Sequence, residues 1–319
     1  MILSPEILTI YILNALFALL SAIAFYFSVR IFLYWNENST SQLQYKLEKQ
    51  SYLSATIIKY IFAIKVPLFL FFIFTLDDMS NIISGAMCAA GVVDATVYGS
   101  YLLVLKVLNL YLFAYWIVLH SKDIKFEVQP YIKQKFGLFI GLFFLLVVEI
   151  ILEIMMFNAI DVTSIVDCCG VIYSSSSQSY LSMVLSLDYF ILLGIFYGVF
   201  LFLTISYIFK LRYLFSILNL FFIIISLITL ISFFGTYIYE LPTHKCPFCF
   251  LQKDYNYIGY FLYTFLFIGT FNGLVIAFIE FNKQEIEKFY TLSFLFNFLY
   301  VGIVTYYPVI FYIKNGVFL

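Results

Sequence analysis

Long apolar runs separated by short polar stretches form the pattern of this chain. A helix needs about 20 apolar residues to cross the hydrocarbon core of a bilayer, and eight runs in the sequence reach that length. They cover residues 7–33, 52–76, 101–119, 136–157, 183–208, 213–237, 257–279 and 290–313. The pattern predicts an all-α polytopic membrane protein, in which a bundle of eight transmembrane helices forms a single domain over residues 1–319.

The composition points to the same class of protein. Of the 319 residues, 64% are hydrophobic and only 11% are charged, which is far more apolar than an ordinary soluble domain. The net charge of −1 provides no attraction for nucleic acid. We therefore expect the lipid bilayer to surround the chain, and we expect no nucleic-acid partner.

Lysine and arginine are distributed unevenly among the loops, and this bias predicts the orientation in the membrane. The loops after the first, third, fifth and seventh runs carry ten of these residues: Lys46, Lys49, Lys122, Lys125, Lys133, Lys135, Lys210, Arg212, Lys283 and Lys288. The opposite loops and the C-terminal tail carry three: Lys245, Lys253 and Lys314. Both termini are thus predicted to be non-cytoplasmic. With its short loops and its richness in Phe, Tyr, Ile, Asn and Lys, the chain is typical of a bacterial inner-membrane protein.

All five cysteines fall in loops on the predicted periplasmic side. Cys88 lies in the second loop, Cys168 and Cys169 in the fourth, and Cys246 and Cys249 in the sixth. Disulfides persist in oxidising compartments, and a reduced thiol kept there needs a reason. This cysteine-rich face is therefore the first candidate for a functional site.

The Cys246-X-X-Cys249 pair is open to three interpretations. At the start of a helix this spacing would place both sulfurs on one turn, where the positive helix end favours a thiolate suited to redox work. The two cysteines could instead form permanent disulfides with other loops. Cys168 and Cys169 are adjacent and rarely bond each other, so each is expected to have a partner elsewhere.

A metal site is the third interpretation of the same loops. His244 precedes Cys246 and Cys249 by two and five positions, and Met87 lies beside Cys88. Thiolate, thioether and imidazole ligands suit Cu(I), and also zinc.

Charged residues within or at the ends of the apolar runs form a second candidate site. Glu149 and Glu153 are four residues apart and share one helix face, while Lys65, Lys106 and Asp188 lie in or at the ends of other runs. An unpaired charge costs about 2.5–3.5 kcal/mol on insertion scales. We therefore predict an intramembrane cluster of these five residues, either as structural ion pairs or as a pathway for a proton or ligand.

The residues from Cys246-Pro247-Phe248-Cys249 to Lys253 resemble the Cys-X-X-Cys segment of the membrane thiol oxidoreductases of the DsbB and vitamin K epoxide reductase families. The resemblance implies that Cys246 and Cys249 are the quinone-proximal pair, that Lys253 is the basic residue near them, and that a quinone accepts electrons. It also implies that Cys168 and Cys169 form the shuttle pair. This chain differs in its eight spans, its adjacent shuttle cysteines and its fifth cysteine.

These patterns predict thiol–disulfide exchange coupled to the membrane, which would make the protein a membrane thiol–disulfide oxidoreductase. One alternative is a copper or soft-metal binding or transport accessory protein. Another is a subunit of a transporter or membrane complex whose cysteines form only structural disulfides. We expect the partner to be a periplasmic thiol protein or a metal-carrying protein.

Overall fold

The computed structural model describes residues 4–36, 39, 41–126, 129–161, 165–166, 188–280 and 282–319. In chain order its α-helices are α1 (Pro5–Tyr34), α2 (Gln42–Ser80), α3 (Ala89–Asp94), α4 (Val97–Asp123), α5 (Ile132–Ala159), α6 (Tyr189–Ile208), α7 (Arg212–Thr229), α8 (Gly235–Tyr239), α9 (Ile258–Phe278) and α10 (Lys283–Asn315). A π-helical turn, Leu230–Phe234, joins α7 to α8, and two 3-10 turns, Cys249–Leu251 and Lys253–Tyr255, precede α9.

The prediction of eight apolar helices is confirmed. Eight helical segments are long and apolar enough to cross a membrane, with α7, the π turn and α8 counted as one, and no strand occurs among the described residues. Helices satisfy their own backbone hydrogen bonds, which lipid cannot do. The helices extend past the apolar runs; α2, for example, begins at Gln42, where the Ser41 hydroxyl accepts a hydrogen bond from the Gln44 N–H. Residues 183–187 of the fifth predicted run lie outside the described residues.

The chain divides into two compact units. The first comprises Met1–Ile83 with Val92–Ser164, and the second Ser84–Gly91 with Ile165–Leu319. Whether the chain forms the predicted single domain depends on how these two units associate, so the single domain stays a prediction.

In the first unit, four membrane helices pack in a closed cycle. α1 contacts α2 and α5, and α4 also contacts both α2 and α5. Its core includes Phe62, which stacks on Phe113 with ring centroids 4.2 Å apart. Near the turn between α4 and α5, Lys135 and Asp123 form a buried ion pair, and Trp116 donates to the Lys135 carbonyl. Lys135, which the sequence assigned to a loop, is thus buried.

In the second unit, the membrane helices pack in the order α6, α7, α9, α10. Small residues let the helices approach closely: a Cβ on Gly273 would come within 2.2 Å of Asn219, and one on Gly269 within 2.2 Å of Asn297. The Asn297 amide donates to the Asn219 carbonyl oxygen at 2.8 Å, which links α10 to α7. Small residues and buried amides are typical of helix contacts in membranes.

Candidate functional site

The Cys246–Cys249 loop does not start a membrane helix, so the condition under which this spacing would place both sulfurs on one helical turn is not met. Cys249 begins a single 3-10 turn, and α9 starts only at Ile258. Asn256 and Tyr257 separate the two, because both have a left-handed backbone, with φ of 53° and 55°. Two left-handed residues in succession cannot continue a right-handed helix. Neither cysteine therefore belongs to the first turn of α9.

Two tyrosines hold this loop in place. The Tyr239 hydroxyl at the end of α8 donates to the Cys246 carbonyl and accepts from the Phe250 N–H at 3.1 Å. From α9, the Tyr263 hydroxyl donates to the Pro247 carbonyl at 2.7 Å. The backbone is thus held on both sides of the two cysteines. The sequence alone did not identify either tyrosine. The chain contains 28 tyrosines, and no local pattern distinguishes these two from the rest.

The segment that carries Cys88 packs against the same loop. The Gln252 side-chain amide donates to the Met87 carbonyl at 3.1 Å. Upstream, Gly85 has a φ of +90°, and a Cβ there would come within 2.4 Å of the Val166 carbonyl oxygen. Only glycine combines this conformation with so close an approach. Gly85 and Gln252 therefore help to set the position of Cys88.

Three cysteines converge at this place. The Sγ atoms of Cys88, Cys246 and Cys249 all lie within 4.8 Å of one another, and those of Cys88 and Cys246 are 3.4 Å apart. The three side chains are 0%, 1% and 5% exposed, in that order. The Phe248 N–H donates to Cys246 Sγ at 3.4 Å, a bond that favours the thiolate. We call these three residues the cysteine group.

The other predicted ligands occupy different positions. Among the described residues, no ligand atom of a His, Asp or Glu lies within 4.8 Å of all three sulfurs. His244 instead packs edge-on against Tyr239, with ring centroids 4.4 Å apart. Met87 is 65% exposed, whereas Cys88 beside it is fully buried. The predicted shuttle cysteines, Cys168 and Cys169, lie outside the described residues.

The chain matches no protein-family model, no curated protein and no solved structure. What the cysteine group can do chemically follows from its own atoms. Thiolates that bind one ion at about 2.3 Å have sulfurs about 3.8–4.0 Å apart, so the observed spacing fits a soft metal ion. A disulfide needs its sulfurs at about 2.05 Å, so the 3.4 Å contact between Cys88 and Cys246 would have to shorten for a bond to form.

Four of the five predicted intramembrane charges meet in the first unit. Lys106 lies 3.0 Å from Glu149 Oε1 and 3.0 Å from Glu153 Oε1, and Lys65 lies 3.0 Å from the same Glu149 oxygen. Asn14 closes the cycle, since its amide donates to Glu153 at 2.8 Å and its carbonyl accepts from Lys65 at 3.0 Å. We call Asn14, Lys65, Lys106, Glu149 and Glu153 the charge ring.

The charge ring joins all four membrane helices of its unit. It carries two positive and two negative charges, so its formal charge is zero, which suits a site in hydrocarbon. Asn109 adds a bond from its amide to Glu149 Oε2 at 2.6 Å. Asn14 was missed, although a lone asparagine in an apolar run was the available signal.

Asp188, the fifth predicted member, lies in the second unit. Its carboxylate accepts the Phe190 N–H at 2.8 Å and caps the start of α6. An exposed N-cap position satisfies the carboxylate without a lysine. Its predicted place in the cluster concerns how the two units associate, and it stays a prediction.

Proposed function

We propose that this protein is a multi-pass membrane protein that binds a soft metal ion, foremost Cu(I), through Cys88, Cys246 and Cys249. The observation that supports this most is the convergence of three buried sulfurs from two distant segments within 4.8 Å. Two cysteines are enough for a redox pair, whereas a third one suits a metal site. Cu(I) is stable with few soft ligands and therefore matches a group of three thiolates that no His, Asp or Glu of the described residues joins. Zinc is the second ion the group would accept.

The burial of the three sulfurs also favours metal binding over exchange with a protein substrate. A thiolate attacks a disulfide along the S–S axis, so exchange needs an accessible sulfur. The cysteine side chains are at most 5% exposed, which suits an ion that arrives alone or is handed over by a small carrier. The partner we propose is accordingly a metal-carrying protein on the side of the membrane where the cysteine group lies.

The charge bias of the loops supports one side of the membrane for the cysteine group. We propose that the cysteine group faces the periplasm of a bacterial inner membrane and that both termini lie on the same side. A soft-metal site there would bind the ion outside the cytoplasm, where a membrane protein can store it, hand it on or deliver it to a complex.

The test is metal binding by the full chain in detergent or nanodiscs. We expect the reduced protein to bind about one Cu(I) per chain against a colorimetric Cu(I) chelator, and to lose the tight site in Cys88→Ser, Cys246→Ser and Cys249→Ser. Met87→Leu is the matched control, because Met87 is adjacent to Cys88 but exposed. Equal binding by the cysteine variants and the unchanged protein would refute the proposal.

The 3.4 Å contact between Cys88 and Cys246 favours a second candidate, thiol–disulfide exchange. In that reaction the two thiols lose two electrons and two protons and form one S–S bond, while a membrane quinone takes up the electrons and protons as a quinol. A dithiol substrate then reduces the disulfide again. Cys88 would be the partner of Cys246, a role for which the sequence resemblance had implied Cys168 and Cys169.

Quinone reduction separates the two candidates. A dithiol-driven reduction of a soluble quinone analogue by the protein in nanodiscs, lost in Cys246→Ser, would establish exchange. A protein that binds copper but does not reduce quinone would restrict the function to metal binding. Cysteines that stay blocked to alkylation until a reductant is added, with neither activity, would indicate structural disulfides in a transporter or complex subunit.

A further inference from the structure

A small cavity lies beside the charge ring in the first unit. Its walls carry Lys65, Lys106, Asn109 and Glu149 together with Leu68, Phe69, Leu110 and Phe113. Its size allows about one water molecule. A cavity of this size between apolar walls stays dry unless polar groups converge on it, so the polar lining decides what it contains.

Asn109 brings an unused acceptor to this cavity. Its side chain is 1% exposed, and its amide nitrogen donates to Glu149. Its Oδ1 atom is buried and has no hydrogen-bond partner among the residues that the structure describes. Buried carbonyl oxygens are rarely left unpaired in folded proteins, so a donor is expected to reach this atom from within the cavity.

Lys65 brings a donor that no bond among the described residues uses. An ammonium group has three N–H bonds, and that of Lys65 directs two of them to Asn14 and Glu149. The ammonium of Lys106 also has two carboxylate partners, and it lies over the Phe72 ring at 4.3 Å. The Phe72 ring therefore engages the remaining side of Lys106 more closely than the Phe17 ring, 5.5 Å away, engages Lys65.

We propose that this cavity is a binding site for one water molecule, held between Lys65 and Asn109. The water accepts a hydrogen bond from the Lys65 ammonium and donates one to Asn109 Oδ1. The third N–H of Lys65 and the Asn109 carbonyl oxygen then both have a partner. Without a water molecule, each N–H proton of the charge ring stays on its own nitrogen and does not exchange. With the water present, the N–H protons of the ring can exchange, and the charge ring becomes a hydrated proton-exchange site inside the membrane.

Water-edited solid-state NMR on the full chain in lipid bilayers tests this site. With asparagine labelled with ¹⁵N, we expect magnetisation from water to reach the Asn109 side-chain amide. Asn219 is the matched internal control, because it is fully buried and its Oδ1 already accepts from Asn297 and Ser293. Asn219 should receive no such transfer, and Asn109→Leu identifies the Asn109 signal.

Filling the cavity should remove the water while leaving the charge ring intact. Leu110→Phe does this from α4, and Leu68→Phe does it from α2. We expect the transfer to Asn109 to disappear in these variants while the Asn14 signal keeps its position. Because the Asn14 amide donates to Glu153, an unchanged Asn14 signal shows that the charge ring is preserved. Absence of transfer in the unchanged protein, or transfer that persists in both folded variants, would overturn the proposal.

Discussion

The Sγ atoms of Cys88 and Cys246 lie 3.4 Å apart, although 158 positions separate the two residues in the sequence. Mild oxidation of the metal-free protein should therefore link Cys88 to Cys246, because only a small movement brings the sulfurs to bonding distance. Mass spectrometry of peptides prepared without reductant measures the product. In Cys88→Ser this cross-link must be absent, and a dominant bond from Cys246 to a different cysteine would contradict the geometry.

Glu149→Gln should destabilise the first unit strongly. Glu149 accepts from Lys65 and Lys106, so the amide would leave the charge ring with an excess positive charge in the membrane interior. Breaking a buried ion pair costs about 3–5 kcal/mol. Unfolding in SDS or by heat, measured in mixed micelles, reports the loss. Glu287→Gln is the control, since its pair with Lys210 is exposed and 3.9 Å long and contributes about 0–1 kcal/mol.

A second substitution should rescue part of this loss. Adding Lys65→Met to Glu149→Gln restores a neutral ring, with Lys106 opposite Glu153. We expect the double variant to unfold at a higher SDS fraction than Glu149→Gln alone. Additive destabilisation by the two changes would mean that the charges do not act as one network.

Tyr239→Phe should weaken metal binding without removing a ligand. The missing hydroxyl leaves the Cys246 carbonyl and the Phe250 N–H without their shared partner, and residues that orient ligands typically contribute 10–100-fold in affinity. Titration with Cu(I) against the chelator measures the change. Tyr257→Phe is the matched control, because its half-exposed side chain makes a ring contact with Tyr260 and no hydrogen bond to any described residue. An unchanged Cu(I) affinity in Tyr239→Phe would show that the Tyr239 hydroxyl does not help to position the metal ligands.

Gly273→Ala should disrupt the contact between α7 and α9. The added Cβ would come within 2.2 Å of the Asn219 amide, and Asn219 cannot move without losing its bond to Asn297. Overpacking of this kind costs about 1–3 kcal/mol. Gly302→Ala, where an added Cβ would meet no described atom within 4 Å, should leave the unfolding transition in place. Equal stability of the two variants would show that α9 can shift away from α7.

A reporter pair tests the orientation that the loop charges predict. Alkaline phosphatase fused after Leu319 should be active, and green fluorescent protein fused there should stay dark, because both termini are predicted to be periplasmic. Fusions in the loop between α1 and α2 should show the opposite pattern. A fluorescent C-terminal fusion would place the cysteine group on the cytoplasmic side and would refute the proposed metal site facing the periplasm.

The sequence alone determined the class of fold and most of its helices. Eight apolar runs of sufficient length admit few other structures, because lipid supplies no hydrogen bonds to an open backbone. The sequence also indicated that the buried charges need partners, since an unpaired charge is costly in the membrane. It could not say which charges pair, because that depends on how each helix is rotated: Asn14 is turned toward Glu153 and Lys65 and so completes the charge ring.

The cysteine group was decided by the tertiary structure. The sequence predicted that Cys88, Cys246 and Cys249 lie on the same side of the membrane. It did not show that these three cysteines meet while His244 and Met87 lie apart from them. The left-handed residues before α9 and the hydroxyls of Tyr239 and Tyr263 set the path of the loop, and Gly85 allows the segment before Cys88 to approach. Apolar periodicity encodes helices locally, whereas a convergence of loops depends on a few long-range hydrogen bonds and close contacts that no local pattern records.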